Sequence, residues 1–124
     1  MKEVFYKCSI CGNIVELIDG DMKRVACCGK TMELMEANTV DAAVEKHVPV
    51  YEKVENEIIV RVGEVNHPMI DEHYIMWIAL VTDGKIMKAY LKPGEEATVK
   101  FPYIANSEIY AYCNLHGLWK NMVI

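Results

Sequence analysis

Five cysteines and four histidines in this chain have the types and spacing to hold metal ions. Four of the cysteines lie near the N-terminus. Cys8-Ser9-Ile10-Cys11 is a CxxC, and after fifteen intervening residues come Cys27 and Cys28, directly adjacent. Gly12 and Gly29 follow the two pairs, so each pair sits at a turn where backbone N–H groups can point at thiolate sulfurs. Four thiolates arranged in this way make a tetrahedral S4 site for iron or zinc, and spacing alone does not separate the two metals. Adjacent cysteines are poorly placed to bond one another, because a trans peptide holds their Cα atoms nearer than disulfides prefer.

The histidines, His47, His67, His73 and His116, all lie beyond that region, and so does the fifth cysteine, Cys113, three residues before His116. A lone histidine is more often a surface or satisfied core residue than a ligand. Four of them beside turn or strand-end signals, with an unpaired thiol, describe a second metal site. The runs His47-Val48-Pro49 and His67-Pro68 place prolines just after two of the rings and stiffen the loops that present them. Cys113 and His116 bracket a turn at Asn114-Leu115. Five such ligands exceed what a structural zinc takes. They suit iron in a square pyramid, with histidines in the plane, cysteine beneath and the sixth position open to a small molecule. A thiolate opposite that position pushes electron density onto the metal, as in thiolate-ligated haem.

The elements that must position these donors divide at about residue 36. Residues 1–36 hold four cysteines and little apolar mass, a unit too small to fold without a metal or disulfides. "NIVELIDGDMKRVACCG" predicts a hairpin around Asp19-Gly20-Asp21. "EANTVDAAVEKHVP" predicts a linker with a short helix through Ala42-Ala43-Val44, capped by Asn38, Thr39 or Asp41. From Val50 the pattern is strand-like: two strands around Glu55-Asn56-Glu57, three more punctuated by Asp83-Gly84 and Pro93-Gly94, and two in "SEIYAYCN" and "LWKNMVI". Roughly seven short strands indicate an immunoglobulin-like β-sandwich over residues 37–124, so the expected fold class is all-β. Trp77, Tyr110, Tyr112 and Trp119 fit its core or rim.

Composition narrows the function. An apolar fraction of 52% suits a globular core, and the formal net charge of −5 disfavours a nucleic-acid binder. The N-terminal run "MKEVFYKCS" does not resemble a signal peptide, and the run from Tyr74 to Val81 is too short to span a bilayer. The expectation is a cytoplasmic protein with no membrane segment, whose cysteines serve metal or redox chemistry.

The CxxC followed by Cys-Cys, in a unit of this length, resembles desulforedoxin and the N-terminal domain of desulfoferrodoxin. "EKHVP", "NHPM" with "EHYI", and "YCNLHGLW" are similar, in the same order, to the motifs of superoxide reductase. The resemblance covers the whole chain and implies a two-iron desulfoferrodoxin. One iron would be held by Cys8, Cys11, Cys27 and Cys28 in the small domain, residues 1–36. The other, the active one, would be held by His47, His67, His73, His116 and Cys113 in the sandwich, residues 37–124. The implied activity is one-electron reduction of superoxide to hydrogen peroxide, and the implied partners are a rubredoxin electron donor and a second copy in a homodimer. The family also implies that Glu45 swings in to occupy the sixth position of the oxidised iron. Lys46, next to His47, is placed to add positive charge at the mouth and to help deliver protons.

Two other readings stay open on the residues. Cys113, His116 and Met122 resemble the Cys-His-Met loop of blue copper proteins, which would make the chain a cupredoxin-like electron carrier. A zinc-stabilised binding module would account for residues 1–36 but leaves the histidines and Cys113 without a task.

Overall fold

The computed structural model describes residues 4–124. The chain divides into two compact units, one running to Glu36 and the other from Ala37 to Ile124.

The first unit contains five very short strands: β1 (Phe5–Lys7), β2 (Ile14–Glu16), β3 (Ala26–Cys27), β4 (Lys30–Thr31) and β5 (Glu33–Leu34). They form a three-stranded antiparallel sheet in the order β2-β1-β5 and a two-stranded ribbon β3-β4. Both hairpins turn at the cysteines. The β1–β2 turn carries Cys8 to Gly12, and the β3–β4 turn is Cys28-Gly29, both with positive φ (55° and 74°). The hairpin expected around Asp19-Gly20-Asp21 does not form, because β2 pairs with β1 and β3 pairs with β4. The cysteine turns take up the strand edges that an Asp-Gly turn would have joined. Buried apolar side chains among the described residues of this unit are few: Val4, Phe5 and Met32, with Cys8 beside them.

The second unit opens with a single helical turn, α1 (Val44–His47). It starts later than the sequence suggests, and Ala43 stands at its N-terminus without a side-chain cap. The seven strands that follow are β6 (Pro49–Val54), β7 (Glu57–Val62), β8 (Ile75–Val81), β9 (Ile86–Tyr90), β10 (Thr98–Pro102), β11 (Glu108–Cys113) and β12 (Gly117–Met122). They make two antiparallel sheets, β10-β7-β6 and β12-β11-β8-β9, the expected all-β sandwich. β7 alternates, with Ile58, Val60 and Val62 buried between exposed or half-buried neighbours, as a strand with one solvated face must. In β8 the run Trp77 to Val81 is buried throughout, which is why its sequence shows no alternation. Ile75, Ile78, Leu80, Phe101, Ile109, Ala111 and Val123 complete the core, and Trp77 stacks on Tyr112 across β8 and β11 (centroids 5.6 Å apart, planes at 11°).

One irregularity positions the chemistry. Tyr112 pairs with Trp77, but Cys113 pairs with Ile75, so β8 carries an extra residue opposite the end of β11. Such a bulge bends the strand and re-aims the side chains beside it. Cys113, the last residue of β11, sits at this break.

Candidate metal centres

In the first unit the sulfurs of Cys8, Cys11, Cys27 and Cys28 all lie within 4.8 Å of one another, and all are free thiols. Cys11 Sγ is 3.5 Å from Cys27 Sγ. The backbone N–H groups of Ile10 and Cys11 donate to Cys8 Sγ at 3.4 and 3.5 Å, and they draw its pKa down to about 6. The neighbouring Cys11 and Cys8 sulfurs push Cys27 the other way, up to about 12, and Cys28 is also raised. Four sulfurs this close cannot all ionise beside one another in the absence of a cation. A bound metal resolves the conflict, since coordinated thiols are deprotonated outright. Asn13, whose Nδ2 lies 3.8 Å from Cys27 Sγ, is a further neighbour that the sequence did not single out.

In the second unit His47, His73, Cys113 and His116 offer ligand atoms that all lie within 4.8 Å of one another. His67 joins them: its Nε2 is 3.1 Å from His47 Nε2. His47 comes from the end of α1, and His67 from the loop after β7, tied back by its N–H to the Val62 carbonyl. His73 closes a tight turn whose backbone pairs with Ile70. Cys113 ends β11 and His116 is the last residue of the loop Asn114-Leu115-His116, which closes on Gly117 at φ 80° at the start of β12.

The four rings form a square. Neighbouring centroids are 4.6 Å apart for His47–His67, 4.6 for His67–His73, 5.0 for His73–His116 and 4.8 for His116–His47. The diagonal His47–His73 is 6.4 Å, close to √2 times the side. Cys113 Sγ lies 3.8 Å from His116 Nδ1.

The protonation pattern tests whether the set fits a metal. His47 Nδ1 lies 2.7 Å from the Ala43 carbonyl, and His67 Nδ1 lies 2.7 Å from the Pro68 carbonyl. A carbonyl only accepts, so each Nδ1 carries the proton and donates it. Burial is the main cause holding His67 down near a pKa of about 4 and His47 and His73 below the usual histidine range, so these rings are neutral. The two Nε2 atoms 3.1 Å apart therefore face each other lone pair to lone pair. His47 Nε2 is also 3.1 Å from His116 Nδ1, and His73 Nε2 is buried without a hydrogen-bond partner. Nitrogens arranged in this way fit a shared cation. Cys113 is fully buried, and burial raises its pKa, while the N–H groups of Leu115 and His116 pull it back. Those same N–H groups would stabilise a metal-bound thiolate.

Glu45 and Lys46 lie on the same helical turn as His47, both exposed. The Lys46 charge adds to the downward push on His47 and His73, so it is felt at the centre. This turn is seated on Gly63: a Cβ there would stand 2.7 Å from the Glu45 carbonyl oxygen and 3.0 Å from that of Val48. Val65 N–H donates to the same Glu45 oxygen at 2.9 Å. Trp119 lies against the His47 ring, and Asn114 bonds to both sides of His73. Gly63, Trp119 and Asn114 touch the turns and rings that carry these donors, contacts that composition and spacing did not reveal. The prolines after His47 and His67, and the glycine turns whose N–H groups face the cysteine sulfurs, are the supporting features that the sequence does show.

The blue-copper alternative does not hold. Met122 is the last residue of β12, paired with Glu108 and 43% exposed. It stands five positions beyond Gly117 along the strand, roughly 16 Å of extended chain. The two histidines surplus to a copper site instead complete the square.

Comparison with known proteins agrees with this geometry. A family model described as Desulfoferrodoxin matches residues 39–122, and one described as Desulfoferrodoxin, N-terminal domain, matches residues 2–35. A desulfoferrodoxin from Syntrophotalea carbinolica is 51% identical over 117 residues, covering 94% of this chain and 93% of that protein. Another, from Nitratidesulfovibrio vulgaris, is 49% identical over 116 residues, covering 93% and 92%. Among solved structures, the superoxide reductase from Treponema pallidum is similar at a TM-score of 0.76 and 35% identity, over 98% of this chain and 99% of that one.

Proposed function

The chain belongs to the desulfoferrodoxin family, and from that premise we propose that it is a superoxide reductase with two mononuclear non-haem irons. His47, His67, His73, His116 and Cys113 would hold the active iron, and Cys8, Cys11, Cys27 and Cys28 the other. The observation that carries the reading is the facing pair of unprotonated Nε2 atoms on His47 and His67, 3.1 Å apart within a square of four histidines that also has a buried thiol 3.8 Å from His116.

The reaction adds one electron and two protons to superoxide and yields hydrogen peroxide. Ferrous iron, when bound, supplies the electron and one vacant position for a small anion. The protein's own groups do the rest. Imidazole ligands bind a metal in their uncharged form, so they would leave its positive charge uncancelled and draw an anion toward an otherwise acidic molecule. Lys46 adds a second positive charge beside His47 and is the proton donor in this account, directly or through water. Glu45 is the carboxylate on the same turn, and we assign it to the oxidised state. The Cys113 thiolate, held by the Leu115 and His116 N–H groups, would be a ligand that donates electron density to the iron and so would favour release of the peroxide product.

We give the four-cysteine centre a structural role at least equal to electron relay, since the three buried apolar side chains and one cysteine among the described residues make a poor core for the unit around it. A rubredoxin-like electron donor, a homodimer and a cytoplasmic location complete the proposal. No helix among the described residues is long and apolar enough to cross a membrane.

Metal analysis with EPR tests the assignment. Wild type should bind two irons per chain, and Cys113→Ser should lose reductase activity while keeping the visible spectrum of the four-cysteine centre. Copper, zinc alone, or loss of both spectra in Cys113→Ser would contradict it.

A further inference from the structure

We infer that Asn114 is a positioning residue for the histidine–cysteine centre, a clamp that sets the Cys113–His116 turn against the turn carrying His73. Asn114 stands between two donors, Cys113 and His116, and reaches across to a third. Its Oδ1 accepts from the Tyr74 N–H at 2.9 Å, and its Nδ2 donates to the Glu72 carbonyl at 3.0 Å. Its own backbone N–H donates to the Tyr74 carbonyl at 3.2 Å. The two side-chain bonds fall on the residues immediately before and after His73, so the amide spans that backbone.

His73 has particular need of this. His47 and His67 have their rings oriented by carbonyls on Nδ1, at 2.7 Å each. Among the described residues no such carbonyl orients His73, and none bonds its buried Nε2. Its place in the square is therefore set through its backbone. On one side that backbone is held by the reciprocal bonds to Ile70, both 3.1 Å, and on the other by Asn114. Only an amide of this length both accepts and donates here. Aspartate keeps the bond from the Tyr74 N–H but sets a carboxylate oxygen against the Glu72 carbonyl, and alanine keeps neither. Three of the five donors, Cys113, His116 and His73, thus share one clamp.

The inference rests on reading the five donors as a single metal centre, but not on the reaction performed there. Cobalt(II) is the probe, because its thiolate charge-transfer and d–d bands report donor geometry without superoxide. The full chain is loaded and titrated with a chelator, the bands of the four-cysteine centre being common to wild type and variants. Asn114→Ala should hold cobalt at the histidine–cysteine centre roughly 10- to 100-fold more weakly, with a shifted thiolate band. Asn114→Asp should fall between. A merely structural asparagine would lower stability and leave the cobalt spectrum and affinity of the centre as in wild type, and that result would overturn the proposal. If Asn114→Ala does not fold, Asn114→Asp decides on the same two outcomes. Failure of the wild type to reduce superoxide would sink the functional reading while leaving the cobalt result to stand.

Discussion

The Trp119 indole lies nearly parallel to the His47 imidazole, with centroids 5.0 Å apart and planes at 26°, and its Nε1 donates to the His116 carbonyl at 3.0 Å. One side chain, 1% exposed and fixed on β12 opposite Ala111, thus supports two neighbouring corners of the histidine square. Trp119→Ala should cost roughly 3–5 kcal/mol of stability in a denaturant melt. Trp119→Phe keeps a ring against His47 and loses only the hydrogen bond. It should fold with a smaller loss and shift the EPR signal of the iron-loaded histidine–cysteine centre. An unchanged signal in Trp119→Phe would mean that the indole N–H does not position His116.

Gly63 is required for a reason unrelated to backbone freedom: the space for a Cβ is already taken by the Glu45 carbonyl, 2.7 Å away. Gly63→Ala should push the turn bearing Glu45, Lys46 and His47 outward, at a cost of roughly 1–3 kcal/mol. Iron should be lost at the histidine–cysteine centre and retained at the four-cysteine one. Gly84→Ala is the control, with nothing within 4 Å of the added methyl. Equal behaviour of the two variants in metal analysis would refute this account of Gly63.

How much of this was legible beforehand follows from the range of the interactions. The donors announced themselves by type and spacing, and the seven strands by turn residues between apolar runs. In the first unit Asp19-Gly20-Asp21 carries the stronger local turn signal yet joins no paired strands, and the hairpins turn at the cysteines. Asn38, Thr39 and Asp41 have the side chains of helix caps, which points to a helix start ahead of the observed one at Val44. In the fold Asn38 is spent elsewhere, bonding the Lys120 backbone through both its Oδ1 and its Nδ2. Asn114 is forty residues from Tyr74 and forty-two from Glu72, and no local pattern encodes such contacts.

Lys46 supplies the positive charge next to His47 in an acidic chain. Lys46→Ala should slow the bimolecular reaction with superoxide by roughly tenfold at low ionic strength, with the deficit shrinking as salt is added. Lys46→Arg should retain most of the rate. Pulse radiolysis across a salt series checks this, and a rate for Lys46→Ala equal to wild type at low salt would exclude steering by this residue.

Burial holds His67 down to about pKa 4 and lowers His47 and His73 as well, against about 6.5 in an unfolded chain. Between these values the unfolded chain takes up protons that the folded one refuses. Stability of the metal-free protein should therefore be full above about pH 6.5 and decline as pH falls toward about 4. Urea melts at several pH values measure this. His67→Gln should flatten the dependence, and a wild-type midpoint that did not fall across the window would contradict neutral buried rings.

The central claim is reduction, not disproportionation, of superoxide, and the product ratio tests it most directly. The iron-loaded, pre-reduced protein is mixed with a known amount of superoxide below one equivalent, and hydrogen peroxide and dioxygen are both measured. The account predicts one peroxide for each superoxide consumed and no dioxygen. Half a peroxide with half a dioxygen, or no consumption beyond the spontaneous rate, would contradict it.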